Sequence, residues 1–296
     1  MAETTPLGRG AEPEQPLQAR ETAVAALPSE RAAAIAARPA RARQADPQPL
    51  LIRLVSLVVV LVAWELYGRS VNPVLFTYPT AVFRAFVELT TNGELWQYLQ
   101  QSLVVLLYGL GSAILVGIPL AVGMARFKWL DYAIDTYVNA LYSMPMVAVV
   151  PLLVLWFGFD VKAKAVVVFL FCVFPILINT YQGVKSVDPR LLEVARSFRS
   201  TEAQLWRDLI IPSSLPFIVA GLRLAIGRGL VGLVISEFYT SIAGLGYMIV
   251  RYANSFQTDK LFVPIVVLMV MGVVLMEALK HLQSHLAPWL RQTEEE

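Results

Sequence analysis

Residues 188–216 read DPRLLEVARSFRSTEAQLWRDLIIPSSLP. The stretch carries Arg190, Arg196, Arg199 and Arg207 together with Asp188, Glu193, Glu202 and Asp208. It nevertheless sits in a chain of 296 residues that is 57% hydrophobic and only 16% charged. Soluble domains carry about 25% charged residues, and the mean hydropathy here is +0.60. Either side of the charged stretch the sequence is almost purely apolar. Runs of roughly 20 such residues are long enough to cross a bilayer as helices. Six are predicted, at about 50–68, 102–123, 137–157, 164–183, 213–236 and 261–280. The fold class is therefore all-α, a polytopic membrane protein, and residues 186–212 form a polar loop between its fourth and fifth spans.

The loop has internal order. Asp188-Pro189 supplies an N-cap acceptor followed by proline at the first helical position. Leu191, Val194, Ala195 and Phe198 then follow at helical spacing. Thr201 opens a second helix, and Gln204 completes a capping box with it. Leu205, Trp206, Leu209 and Ile210 give that helix an apolar face, and Pro212 and Pro216 are expected to end it. Two short amphipathic helices joined at a corner admit three readings. A DNA-binding helix-turn-helix is hampered by its tether between two spans. A passive connector on lipid headgroups is the plain alternative. A docking element for a groove on a soluble partner accounts for both faces and for the well-punctuated corner.

Charge sets the expected orientation. With the N-terminus inside, the inner flanks hold Arg38, Arg41, Arg43, Arg53, Arg126, Lys128, Lys185, Arg190, Arg196, Arg199, Arg207, Lys280 and Arg291. The outer flanks hold Arg69, Arg84, Lys162, Lys164, Arg251 and Lys260. The positive-inside rule then puts both termini and the 186–212 loop in the cytoplasm. Residues 1–49, rich in Ala, Pro, Arg and Glu without apolar periodicity, are expected to be a disordered tail. Residues 291–296 are expected to be a short second one. Neither a secretory signal nor a transit peptide is read in the first of them. Outside the membrane, YPTAVFRAFVEL and GLGYMIVRYA each suggest a short interfacial helix, the first with Val82, Phe83, Phe86 and Val87 on one face.

These residues resemble the permease subunits of ABC importers. The loop is similar to their EAA motif, E-A-A, three residues, glycine, nine residues, I-x-L-P. It reads here as Glu193-Val194-Ala195, Arg199, and Leu209-Ile210-Ile211-Pro212. Val194 replaces an alanine and Arg199 replaces the corner glycine. If the corner needs a positive φ, arginine costs about 1 kcal/mol or more there. Trp64-Glu65, Pro79-Thr80-Ala81-Val82, SMPMVAVVPLLVLWFG (143–158), FPILINTYQGVKSVDPRLLEVARS (174–197), GLRLAIGRGLVGLVISE (221–237) and GLGYMI (244–249) are similar to the nitrate, taurine and aliphatic-sulfonate branch. The likeness covers residues 50–290. It implies a type I importer (MetI-like) architecture in the bacterial inner membrane.

The resemblance implies partners too. They are two copies of a cytoplasmic ATPase subunit, a periplasmic or lipid-anchored substrate-binding protein, and a second permease copy in a homodimer, all within membrane lipid. It implies that Glu193, Val194, Ala195, Phe198, Arg199, Leu209, Ile211 and Pro212 couple the chain to the ATPase. ATP and magnesium would be used by that partner, and a small, sulfonate-, taurine- or nitrate-like solute would be carried.

The chain's own chemistry is sparse. No lysine follows a glycine, so a phosphate-binding P-loop is excluded, and no cofactor is expected on this chain. GRGLVG (227–232) satisfies a dinucleotide pattern but lies inside a span, where small residues let helices approach closely. His281 and His285 lack the further ligands of a metal site. No serine–histidine or paired-carboxylate constellation suggests an enzyme, and a net charge of +2 gives no call for nucleic acid. The lone thiol, Cys172, is expected to be inert.

Ionisable groups inside a span are costly and mark function by default. Arg228, deep in the fifth span, is expected to face a translocation path and favour an anion. Its other reading is a guanidinium bonded to carbonyls at a broken helix. Glu237, Ser143, Asn139 and Asn179 are further path candidates. Arg223 is expected to reach the inner interface, and Pro145 and Pro151 to interrupt the third span. A gradient-driven secondary carrier is the alternative function, which inverted internal repeats would support; none is visible.

Overall fold

The computed structural model describes residues 48–72, 74–240 and 242–286. The tails expected at 1–49 and 291–296 lie outside the described residues, apart from the Gln48 and Pro49 that begin the first helix. The chain divides into residues 1–58 and 59–296. Within the first unit, the described residues are the opening turns of α1.

Every regular element among the described residues is helical, as a chain crossing lipid requires unless its strands close into a barrel. The elements are α1 (Gln48–Ser70), α2 (Pro79–Thr91), α3 (Glu94–Arg126), α4 (Lys128–Ser143), α5 (Met146–Phe157), α6 (Val161–Lys185) and α7 (Pro189–Ser197). They continue with α8 (Glu202–Thr240), α9 (Leu245–Asn254) and α10 (Thr258–Leu286). Five helices are long and apolar enough to span a membrane: α1, α3, α6, α8 and α10.

The expected third span is not one helix. α4 and α5 are bent by 101° at a short break. Met144, the residue before Pro145, is extended at φ −73°, ψ 139°, the conformation that a following proline imposes. Pro145 thus makes the break, whereas Pro151 sits inside α5 without interrupting it. A second correction concerns Pro212 and Pro216, which do not end the helix begun at Thr201. Helical structure runs from Glu202 through both prolines to Thr240. A six-residue π-helix, Leu205–Ile210, lies just before Pro212. Its wider turn relieves the contact between a proline ring and the carbonyl of the preceding turn.

The core is built on α6, which packs against both α3 and α8. With no hydrophobic drive between helices in lipid, close backbone approach supplies the contact. Gly229 of α8 is one case: a Cβ there would meet the Cys172 sulfur at 2.7 Å. Cys172 is fully buried and its thiol donates to the Ala225 carbonyl at 3.3 Å. The GRGLVG pattern is thus a packing surface on its Gly229 and Gly232 side.

At the C-terminal end of α1, α1 and α2 are tied by the residues flanking their turn. The Trp64 indole donates to the Thr77 carbonyl at 2.9 Å. Glu65 accepts from the Thr80 amide at 3.0 Å and the Thr80 hydroxyl at 2.7 Å, capping α2 from a neighbouring helix. Val82, Ala85 and Leu89 are the buried face of α2, while Phe83, Phe86 and Val87 are exposed; the expected single face is split. Glu94 receives Arg251 at 2.6 Å and the Tyr252 hydroxyl at 3.0 Å, fastening α9 to α3. Burial, then that carboxylate, holds the Tyr252 phenol above its ordinary pKa.

Candidate functional site: a projecting corner and a mid-membrane arginine

The corner at α7 follows from its punctuation. Asp188 accepts from the Arg190 amide at 2.8 Å, satisfying a first-turn donor. At the other end the Ser200 amide donates to the Ala195 carbonyl (3.2 Å) and the Arg199 amide to the Arg196 carbonyl (2.9 Å). This is the paired closure of a Schellman motif, which places the intervening residue in the left-handed region. That residue is Arg199, at φ 55°. Thr201 then starts α8 with the expected capping box: its hydroxyl receives the Gln204 amide and its amide reaches the Gln204 side chain.

The corner rests on a small apolar platform. Val184, Val187, Leu205 and Ile210 are buried together, with Leu192, Ala195, Trp206 and Leu209 packed around them. Arg126 of α3 bridges to Glu202 at 3.2 Å. The inward face of α7 is therefore Leu192 and Ala195. Leu191, Val194 and Phe198, which the helical spacing grouped with Ala195, point away as an exposed ridge. Phe198 is 82% exposed. Glu193 and Arg199 are exposed, as is Ile211, while Leu209 and Pro212 are half-buried. Structure thus separates the eight loop residues into a supporting set and a projecting set.

Arg228 lies in the second half of α8. Its Nη2 donates to the Tyr142 hydroxyl at 2.9 Å, and its guanidinium carbon stands 4.8 Å from the Tyr142 ring centroid. Tyr142 is in the last turn of α4, just before the break at Pro145. Arg228 borders a cavity of about 230 Å³ whose walls include Met146, Phe171 and Phe174. Among the described residues no carboxylate forms an ion pair with it.

The other path candidates do not gather around it. Asn139 turns back on Asp135, and Ser143 donates to the Asn139 carbonyl at 2.8 Å. Asn179 donates to the Pro175 carbonyl at 2.8 Å, and its Cβ lies where Gly221 brings α8 close to α6. Glu237 is fully buried. Its carboxylate accepts from the Ser102 hydroxyl and the Gly246 amide, each at 2.7 Å, while Ser102 accepts from the Leu245 amide at 2.8 Å. Lys164, 4% exposed, donates to the Ala243 carbonyl at 2.8 Å beside this group. Glu237 is thus a pin for the 242–246 turn, which sequence alone grouped with the path. The usable signal was the glycine pair in GLGYMI: Gly244 is at φ 104°, and a Cβ there would fall on the Glu237 carboxylate.

Residues 113–292, more than half of the chain, match the family described as binding-protein-dependent transport system inner membrane component. The chain belongs to that family. As such it is a permease subunit of an ABC importer and not an enzyme, and the gradient-driven alternative falls away. A putative aliphatic sulfonates transport permease of Bacillus subtilis is 33% identical over 90% of this chain and 96% of its own. The formylaminopyrimidine transport permease of Halalkalibacterium halodurans is 30% identical over 79% and 94%. The taurine transport system permease of Escherichia coli is 29% identical over 79% and 88%. An inward-facing structure of the MetNI methionine ABC transporter superposes with a TM-score of 0.53 at 16% identity, over 64% of this chain and 94% of that one. The last likeness is one of fold, and it fits the all-helical architecture. For the permease, membership implies an ATPase partner that uses ATP, a substrate-binding protein, and an inner-membrane location.

Proposed function

We propose that the permease works as a homodimer on two ATPase copies, with both termini and the α7 corner in the cytoplasm. The α7 ridge fills a groove on each ATPase, and Glu193 and Arg199 flank that contact. Closure of the ATPase pair pushes on α7, and the platform of Val184, Val187, Leu205 and Ile210 passes the displacement to α6 and α8. The solute is a small anion of the sulfonate or taurine type, delivered by the binding protein and passed beside Arg228. Asn139, Ser143 and Asn179 belong to helices near that route; Glu237 holds the outer turn.

The observation that carries this reading is the ridge of Leu191, Val194 and Phe198, apolar and exposed on a corner fixed by caps on both sides. Exposed apolar side chains at helical spacing are the usual anchors of a helix laid in a groove. Charge reversal at Glu193 (E193K) tests it in proteoliposomes. Membrane insertion should be unchanged while ATP-driven uptake falls at least tenfold. Normal uptake by that variant counts against the coupling role.

A further inference from the structure

We infer that Arg228 and Tyr142 form an anion-recognition site inside the permease, specific for small organic oxyanions with an apolar body rather than for inorganic anions. The inference rests on the importer reading above and adds where the solute is recognised and which part of it is read.

Three features of the geometry support this. First, the site is rich in donors, and no carboxylate is among the described side chains that line it. Arg228 spends one N–H on the Tyr142 hydroxyl, and guanidinium has five to give. The Tyr142 oxygen is the acceptor in that bond, so its own proton remains available to a second acceptor. A ligand offering several oxygens on one negative group satisfies both residues at once. Second, the arginine is exposed in the single chain yet sits well inside a helix long and apolar enough to span a membrane. At 1.5 Å per residue, about 18 Å of helix separate it from Thr240 and about 26 Å from Ile211. Lipid headgroups do not reach that depth. A guanidinium there faces an internal, water-filled route or a second subunit.

Third, apart from Arg228 and Tyr142 the side chains lining the cavity are apolar. Met146, Phe171 and Phe174 border the same cavity, and the Phe174 ring lies 6.4 Å from that of Tyr142. Methionine adapts its shape to short hydrocarbon chains, and the phenylalanine rings offer them apolar surface. The volume of about 230 Å³ is below the ~300–1,000 Å³ typical of drug-sized ligands. A bare oxyanion leaves that wall unused, and a neutral solute leaves the arginine unpaired. The site lies at the α4–α5 break, where the chain bends by 101° and brings Tyr142 and Met146 to one cavity.

The test uses the full chain with its ATPase in lipid nanodiscs. Saturation-transfer NMR follows sodium butanesulfonate, with butanol and sodium sulfate as controls. The expected result is transfer to the butyl protons of butanesulfonate, none to butanol above empty nanodiscs, and no displacement by sulfate at equal concentration. R228Q should weaken butanesulfonate at least tenfold and Y142F about fivefold, with R228K between wild type and R228Q. Equal binding by wild type and R228Q overturns the inference, as does saturation by butanol or displacement by sulfate at parity. ATP hydrolysis by the same nanodiscs separates the two readings. Loss of the ATPase from wild-type complexes would defeat the importer mechanism while leaving the binding result to stand by itself.

Discussion

The Ser102 hydroxyl joins α3 to Glu237 of α8 at 2.7 Å and takes the Leu245 amide of α9 at 2.8 Å, so one side chain fastens three helices at a fully buried point. Replacing Ser102 by alanine leaves a carboxylate oxygen and a backbone amide without that partner. Each unsatisfied buried group costs about 1–3 kcal/mol. S102A should therefore lower the thermal midpoint of the purified permease by several degrees, at about 2–4 °C per kcal/mol for a chain of this order of size. A midpoint within one degree of wild type would show that the pin contributes little.

Gly244 should be less replaceable still. A side chain at φ 104° is strained by about 1–2 kcal/mol, and its Cβ would collide with Glu237. G244A is predicted to reduce the yield of monodisperse protein sharply, whereas alanine at Gly227, where nothing lies within 4 Å, should leave it unchanged. Comparable yields from the two variants would contradict this account of the turn.

Arg199 offers the opposite sign. Its left-handed backbone is the place for glycine in a Schellman closure, so R199G should stabilise the corner, by up to about 1 kcal/mol. Hydrogen exchange at Ser200 and in α7 would measure it as slower opening. Faster exchange in R199G would mean that the arginine side chain holds the corner by contacts of its own.

The Thr201 capping box is predicted to matter to coupling more than to folding. T201A removes the acceptor for the Gln204 amide, a loss of about 1 kcal/mol at a helix start. The effect should appear as slower ATP-driven uptake with unchanged membrane insertion. Equal uptake by T201A and wild type would separate the cap from the coupling step.

Sequence made much of this legible, and for physical reasons. Caps are local: Asp188-Pro189 and Thr201–Gln204 act within a few residues, and both form as their spacing requires. Apolar length marks five of the six expected spans, α1, α3, α6, α8 and α10, while the third is a bent pair of helices. Faces were harder. Leu191, Val194, Ala195 and Phe198 share a helical stripe, yet only the platform from α6 and α8 decides that Ala195 turns in and Phe198 out. The break at Pro145 was visible as proline, but its angle depends on neighbours. The surroundings of Glu237 were least legible, because its partners Ser102 and Gly246 lie on other helices. Pro212 read as a stop because a π-turn that accommodates proline has no sequence signature.

The claim on which the mechanism turns is that the α7 ridge is gripped by a separate motor subunit. Site-directed photocross-linking from position 198, with a photoreactive phenylalanine analogue in place of Phe198, tests it most directly in native membranes that contain the ATPase. The account predicts an adduct between permease and ATPase, absent when the analogue replaces the inward-facing Leu192. Cross-links to lipid or to extracytoplasmic protein alone, with none to the ATPase, would contradict it.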